Sequence, residues 1–489
     1  MKPHDFDQHP RPTLAEFVAA TPPELIPDEV IARLRRLMLD WIGITAFAGH
    51  HAENAGPVRA AVDKLDAGAG GTVVGQAQTR SPLYAAFLNG TFAHSMDFDD
   101  TNIVEIGHPG APVIAAALAD AERVGVDMAT FYNALALGYE VACRVGAALG
   151  PSAYDRGFHI TALAGIFGAV AVSARLRGLD AETTGSAFGL ALSKAAGSMQ
   201  YLANGAWNKR LHPGFAAHDG LLCVQLAQAG VIGAAEPLEG RYGLLHSYTD
   251  AAQPEQLTQE LASTWILLQT GIKPYPSCRW THGAIDAALA LRTNIRAEQR
   301  PHAQIRVWLS PTAYPIVGEP EPRKIKPTNT VDAQFSVYFQ VAAAWLDGHI
   351  DWSTYQRLTD PDIAEIAAHI DVDQDANLPK NGSTLIIDAG GEQIGTTIDL
   401  PLGEPGNWIS DDRLRDKFER HASPIYGIPQ SRGIATSVLD APLGMSVRDL
   451  AARLRLPAHG APPPINSSAS SSHQVSTASL ASSASPEPR

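Results

Sequence analysis

The chain has 489 residues, with 51 acidic against 37 basic side chains and a formal charge of −14. That balance argues against nucleic acid as a partner, since phosphate binding needs a basic face, and no apolar run reaches the roughly 18 uncharged residues of a membrane span. Cys143, Cys223 and Cys278 stand far apart with no CxxC pair, which argues against a disulfide framework and against a cysteine-built zinc or iron–sulfur centre.

The first residues, "MKPHDFDQHPRPT", are polar and lack the apolar stretch of a secretory signal, so a cytoplasmic location is expected. "TLAE" at 13–16 resembles a capping box ahead of an apolar run. From Asp28, Ile31, Leu34, Met38, Trp41 and Ile42 recur at helical spacing. Ser81 and Pro82 suit the N-cap and first turn of the next helix. Three further segments, around 130–149, 159–176 and 218–235, are crowded with small apolar residues and should be buried helices. Glu140 and Arg144 fit an i,i+4 ion pair.

Near residue 266 the pattern changes. Ile305, Val307 and Leu309 alternate as in a strand, and 383–400 reads as a hairpin turning at Gly390-Gly391. Helical patterns lie between them at 330–347 and 360–370, and helices return at 410–422 and 446–456. The expected fold is mainly α: a large helical domain from 12–265 and 406–457, and a smaller α+β lid from 266–405. The Ser/Pro/Ala-rich segment 458–489 should be a disordered tail.

Reactive side chains gather at four loop-to-helix junctions. "MDFDDTNIVEIGHPGAP" holds Asp97, Asp100, Thr101 and His108; if the helix from Ser81 continues, the first three share a face. "YDRGFHITALAG" holds Tyr154 and His159. "NKRLHPGFAAH" places Lys209, Arg210 and His212 before a helix. "IKPYPSCRWTHGAIDA" places Lys273, Arg279 and His282 in a Pro-rich loop at the expected domain boundary. Singly, each residue fits a helix cap or loop bond. Together, helix N-termini with Lys, Arg and His suit a substrate bearing several carboxylates. Divalent metal is the competitor for "DFDDT" and its histidines, but no HExxH or EF-hand spacing occurs and basic neighbours disfavour a cation. No phosphate-binding glycine fingerprint follows a strand.

Five segments, "MDFDDT…GHPGAP", "GFHITALAG", "NKRLHPGFAAHDGLL", "KPYPSCRWTHGAIDA" and "DAQFSVYFQVA", resemble the MmgE/PrpD family, which includes 2-methylcitrate dehydratase and cis-aconitate decarboxylase. The resemblance spans about 12–457. It implies a helical domain, an α+β lid, a cleft between them, a homodimer, and no metal or organic cofactor. It places active-site positions of the decarboxylase branch on Asp97, Thr101, His108, His159, Lys209 and His282, with Lys273 and Tyr154 suited to proton transfer. "NIVEIG", between Thr101 and His108, lacks a histidine expected of decarboxylases.

The resulting expectation is a lyase acting on a small di- or tricarboxylic acid by proton transfer beside a carboxylate, with dehydration slightly ahead of decarboxylation. Asp97, His108, His159, Lys209, Lys273, His282 and Tyr154 are the catalytic candidates; Thr101, Arg210 and Arg279 are the substrate-binding ones. A dicarboxylate epimerase or isomerase using the same proton abstraction, or a noncatalytic carboxylate binder, is the alternative.

Overall fold

The computed structural model describes residues 13–389 and 391–457. Thr13 caps the first helix as its sequence suggests: the Glu16 amide donates to the Thr13 hydroxyl, and the Thr13 amide donates back to the Glu16 carboxylate. The chain then runs through α1 (Leu14–Ala20), α2 (Asp28–His51), α3 (Ala55–Leu65), α4 (Pro82–His94) and the two-residue strand β1 (Thr101–Asn102). It continues with α5 (Gly110–Val124), α6 (Met128–Asp155), α7 (Ile160–Leu176), α8 (Ala181–Leu192), α9 (Asn208–Gln228), α10 (Leu244–Tyr248) and β2 (Thr270–Gly271). Helices α5, α6 and α7, rich in Ala, Gly and Val, are buried on nearly every side, with α7 packed on α6 and α9.

A second hydrophobic core is built between residues 275 and 389. Its elements are α11 (His282–Arg292), β3 (Gln304–Leu309), α12 (Pro322–Ile325), α13 (Thr330–Gln334), α14 (Val337–Asp347), α15 (Pro361–Ala368), β4 (Ile370–Gln374), β5 (Ser383–Ala389) and β6 (Glu392–Ile398). The sheet order is β4-β3-β5-β6, with β3 parallel to β4 and the other pairs antiparallel. Ile305, Val307 and Leu309 share a core with Ala284, Ile285 and Trp345, while Gln304 and Arg306 are exposed. That is the period-2 alternation of a one-faced strand. Helices α16 (Asp411–Tyr426), α17 (Ile428–Leu439) and α18 (Val447–Arg453) return to the helical body, where α16 lies on α2 and buries Leu414 and Phe418 in the first core.

Two connections hold the chain around β1 and β2 in place. Thr101 pairs with Gly271 and Asn102 with Thr270, a short antiparallel seam reinforced by Asn102 Nδ2 donating to Thr270 Oγ1 at 3.0 Å. The Glu140–Arg144 pair is present at 2.7 Å, but it is fully buried. Glu140 accepts the amides of Ile266 and Leu267, and Arg144 donates to the carbonyls of Gln256, Gln259 and Thr264. The pair therefore fastens the long 254–267 connection onto α6.

The structure departs from the sequence reading in several places. The helix from Ser81 ends at His94, so Asp97, Asp100 and Thr101 do not share a helical face. The Ser95 hydroxyl donates back to the Thr91 carbonyl, and Asp97 turns into the left-handed region at φ 51°. Lys209, Arg210 and His212 lie within the first turns of α9 rather than before it, with Pro213 inside the helix. Ion pairs of Lys209 and Arg210 with Asp97 and Glu53 hold that turn despite the proline. The 330–347 pattern is broken at Phe335-Ser336, where Ser336 caps α14 by accepting the Phe339 amide at 2.9 Å. Strand β4 and helix α17 have no counterpart in the sequence reading. The expected tail, 458–489, lies outside the described residues.

Candidate active site

The helical body and the α+β body meet at a cleft with room of about 80 Å³ for water-sized groups. Asp97, Thr101, His108, Tyr154, His159, Lys209, Lys273 and Arg279, drawn from all four junctions, line it.

Asp97 is the hub. Lys209 Nζ, from α9, and Lys273 Nζ, just after β2, both donate to its Oδ1, at 2.8 and 2.7 Å. Lys273 also donates to the Asp97 carbonyl at 2.9 Å. Burial pushes the Asp97 carboxyl up, but the two ammonium groups outweigh it and hold the group well below the usual carboxylate range. Burial in turn pushes Lys273 down, against the pull of Asp97. Asp97 is thus ionised and fixed, in a backbone conformation that costs on the order of 1–3 kcal/mol for a non-glycine residue. Its Oδ2 has no protein partner.

Beside this hub stands a group of histidines organised by Asp99. His94 Nδ1 lies 2.7 Å from Asp99 Oδ2, and His108 Nδ1 lies 3.3 Å from Asp99 Oδ1. His108 Nε2 approaches Asp97 Oδ1 at 3.9 Å. His159 stacks on His94 at 5.5 Å and shares a 3.0 Å hydrogen bond with His212, one imidazole donating to the other. Burial is the largest influence on each: it takes His94 to about 3 and His108 and His159 below their ordinary value. At neutral pH these rings are neutral, able to accept a proton or to donate one by tautomer.

Local sequence explains the placement. In the first His-Pro-Gly, a Cβ at Gly110 would lie 2.4 Å from Tyr139 Oη and 2.5 Å from Asp100 Oδ2. Only glycine lets Asp100 accept the Gly110 amide at the start of α5 while Tyr139 donates to its other oxygen at 2.8 Å. In the second, a Cβ at Gly214 would lie 2.2 Å from Thr91 Oγ1, so glycine lets α9 press on α4. At the end of α6, Gly150 (φ 64°, ψ −175°) and Pro151 kink the helix and redirect the turn carrying Tyr154, whose ring meets Trp280 edge-on at 5.7 Å. Burial pushes the Tyr154 phenol well up, so it stays protonated. His159 is the residue preceding α7, and the His108 amide donates to Thr161 Oγ1 in that helix at 3.0 Å.

Two sequence candidates are not on the cleft wall. Arg210 turns away and donates to Glu53 at 3.0 Å; Glu53 also accepts the Thr330 hydroxyl from the α+β body. His282 is fully buried behind Arg279, with Nδ1 3.3 Å from Arg279 Nη1 and Nε2 3.3 Å from the Ser277 carbonyl. Its position as the first residue of α11 points it into the protein, and burial with the Arg279 charge pushes it well below its ordinary value. In this arrangement neither residue faces the cleft.

Sequence reasoning passed over several groups. Asp99 and His94 lie inside "AHSMDFDD", where the i,i+2 acids flanking a turn were the available signal. Lys380, Asn381 and Glu404 also line the cleft, from loops that read only as polar connections. Lys417, on α16, forms an ion pair with Asp40 at 2.7 Å, donates to the carbonyls of Phe98 and Lys273 at 3.1 and 2.9 Å, and sits 3.7 Å over the Phe98 ring. Two triads, His94/His108/His159 and Asp97/Asp99/His108, have ligand atoms within 4.8 Å of one another. The Lys209 and Lys273 ammonium groups on Asp97 oppose a further cation there.

The chain matches the MmgE/PrpD N-terminal domain over residues 12–257 and the MmgE/PrpD C-terminal domain over 275–441. It belongs to the MmgE/PrpD family. Among its relatives, the cis-aconitate decarboxylase-like protein oryM of Aspergillus oryzae is 28% identical over 473 residues, covering 90% of this chain and 96% of the relative. Cis-aconitate decarboxylase of Mus musculus is 28% identical over 422 residues (81% and 83%), and that of Aspergillus terreus 27% over 447 residues (85% and 89%). Among the described residues, no helix is long and apolar enough to cross a membrane.

Proposed function

We propose that this chain is a cofactor-independent lyase acting on a small polycarboxylic acid, with decarboxylation of a cis-aconitate-like tricarboxylate as the first reading. The observation that carries it is the fixed Asp97–Lys209–Lys273 cluster beside neutral His108 and His159. When a carbon–carboxylate bond breaks, CO₂ leaves and the electron pair spreads towards a neighbouring carboxylate as enolate-like charge. Lys209 and Lys273 are already in place to stabilise that charge, which makes preorganisation the main catalytic contribution. The protonated Tyr154 phenol, or a histidine N–H, then delivers a proton to carbon.

Dehydration is the second reading, favoured by the histidine-free "NIVEIG" stretch. There, neutral His108 or His159 removes the proton next to a carboxylate and an acid protonates the leaving hydroxyl. The homodimer implied by the family resemblance belongs to the same proposal, and sedimentation of the full chain tests it.

Turnover of a panel of carboxylic acids decides the function: cis-aconitate, 2-methylcitrate, citrate and simple dicarboxylates. Release of CO₂ from cis-aconitate supports the first reading, and loss of water from a hydroxy-tricarboxylate the second. Interconversion of stereoisomers without loss of a fragment would replace both with an epimerase, and absence of turnover across the panel would sink the lyase.

A further inference from the structure

The cleft has a second cationic wall that the proton-transfer cluster does not use. Arg279 Nε donates to Glu404, which also accepts Asn381 Nδ2 at 2.7 Å. Arg279 Nη2, however, is buried with no hydrogen-bond partner, and so is Thr101 Oγ1. Thr101 stands opposite Gly271 across the β1–β2 seam, and a Cβ at Gly271 would lie 3.1 Å from Arg279 Nη2. A side chain at 271 would crowd that guanidinium edge, so glycine there lets Arg279 Nη2 lie beside the seam that carries Thr101. Lys380, in the loop before β5, lines the same cleft half-buried; its Nζ has one long bond, 3.4 Å, to the Ile103 carbonyl two residues beyond Thr101. Burial pushes the Lys380 ammonium down and Glu404 opposes that, as expected of a cation short of anionic partners.

We infer that Arg279 Nη2, Thr101 Oγ1 and Lys380 Nζ form a second carboxylate site, which holds a carboxylate remote from the reacting carbon, and that Lys380 is its specificity-determining residue. A buried guanidinium edge, a hydroxyl and an ammonium together supply donors for both oxygens of one carboxylate. The donors come from both bodies, Thr101 from one and Lys380 from the other, so an anion seated there replaces the long Lys380–Ile103 contact with a charge-assisted bridge between them. The substrate class implied is an acid with a third carboxylate, and dicarboxylates of the same length leave this wall unpaired. A site built to pair polar groups discriminates strongly against a ligand that lacks the partner. This deepens the lyase reading and rests on it for the identity of the reacting end.

The test uses the full chain and two unreactive acids, tricarballylate and glutarate, with affinities measured by calorimetry for the parent and for Lys380→Met and Lys380→Arg. The parent should prefer tricarballylate at least about tenfold. Lys380→Met should lose most of that preference and Lys380→Arg keep part of it, with melting temperatures showing that both variants are folded. A parent without preference, or a Lys380→Met variant that retains it, overturns the inference. Preference that depends on Lys380 in a protein that turns over no acid of the panel sinks the lyase reading and leaves the anion site standing. Turnover with a preference indifferent to Lys380 does the reverse.

Discussion

At the residue scale, the site rests on one ionised aspartate held by two lysines. Lys209→Ala should lower kcat by about 10²–10³, the cost of losing one preorganised charge partner, and Asp97→Asn should impair turnover while the left-handed turn, which Asn tolerates, survives. Steady-state kinetics alongside melting temperature separates this from a capping role, which would cost about 0.5–2 kcal/mol of stability and leave the folded fraction fully active. A second residue-scale consequence concerns pH. Glu105 is buried with both oxygens unpartnered, and burial pushes its carboxyl to about 8; Asp100, also buried, is pushed to about 7. The unfolded chain ionises these groups near pH 4, so between there and pH 7–8 the folded state carries protons that the unfolded state has lost. The stability these groups contribute is therefore full only below about pH 4, falls steadily as pH rises across the window, and is lost once pH passes 7–8. Glu105→Gln keeps a neutral side chain at every pH. The drop in melting temperature between pH 5.5 and 8 should shrink in this variant, and an unchanged drop would show that Glu105 is not protonated in the fold.

At the element scale, helix α16 is the least expected contributor. Its Lys417 holds the carbonyl of Phe98, between Asp97 and Asp99, and the carbonyl of Lys273, so one buried ammonium sets the spacing of the two segments that supply the hub. Lys417→Met leaves Asp40 buried and unpaired and should cost about 3–5 kcal/mol. Adding Asp40→Asn should return much of the stability without returning kcat, because the carbonyl clamp is still missing. Recovery of both together would reduce Lys417 to a structural partner of Asp40. Legibility in the sequence also divides by element. Helices with a small-residue, all-apolar composition were readable because burial and periodicity agree, and β3 because Ile305, Val307 and Leu309 alternate. Strand β4 was hidden because only Ile370 is buried within it. The false continuation of α4 arose because Asp97, Asp100 and Thr101 mimic helical spacing; the turn that separates them is imposed by Lys209 and Lys273, more than a hundred residues away. Four junctions could be read as carrying reactive groups. Which side chains reach the cleft could not, since Arg210 lies next to Lys209, and His282 three residues from Arg279, in the same segments, and only the folded chain separates those that line the cleft from those that do not.

At the scale of the molecule, the cleft lies between a helical body and an α+β body and is lined by Asp97, Lys209, Lys273 and Arg279. Prolonged dialysis against a strong chelator should leave turnover unchanged. Loss on chelation with recovery on adding a divalent cation would mean that one of the histidine or aspartate triads holds a metal in spite of the adjacent lysines.

The second His-Pro-Gly bears on how this protein can vary. Gly214 carries no charge and lies outside the cleft lining, yet a single added methyl would collide with Thr91, on the helix that leads into Asp97, while the same α9 carries Lys209. The permitted mutations at such a position are set by the tolerance of a bond elsewhere, here the 2.8 Å contact between Lys209 and Asp97. A library screened for activity should find Gly214 as closed to substitution as the charged residues themselves, although a scan for reactive side chains would never select it.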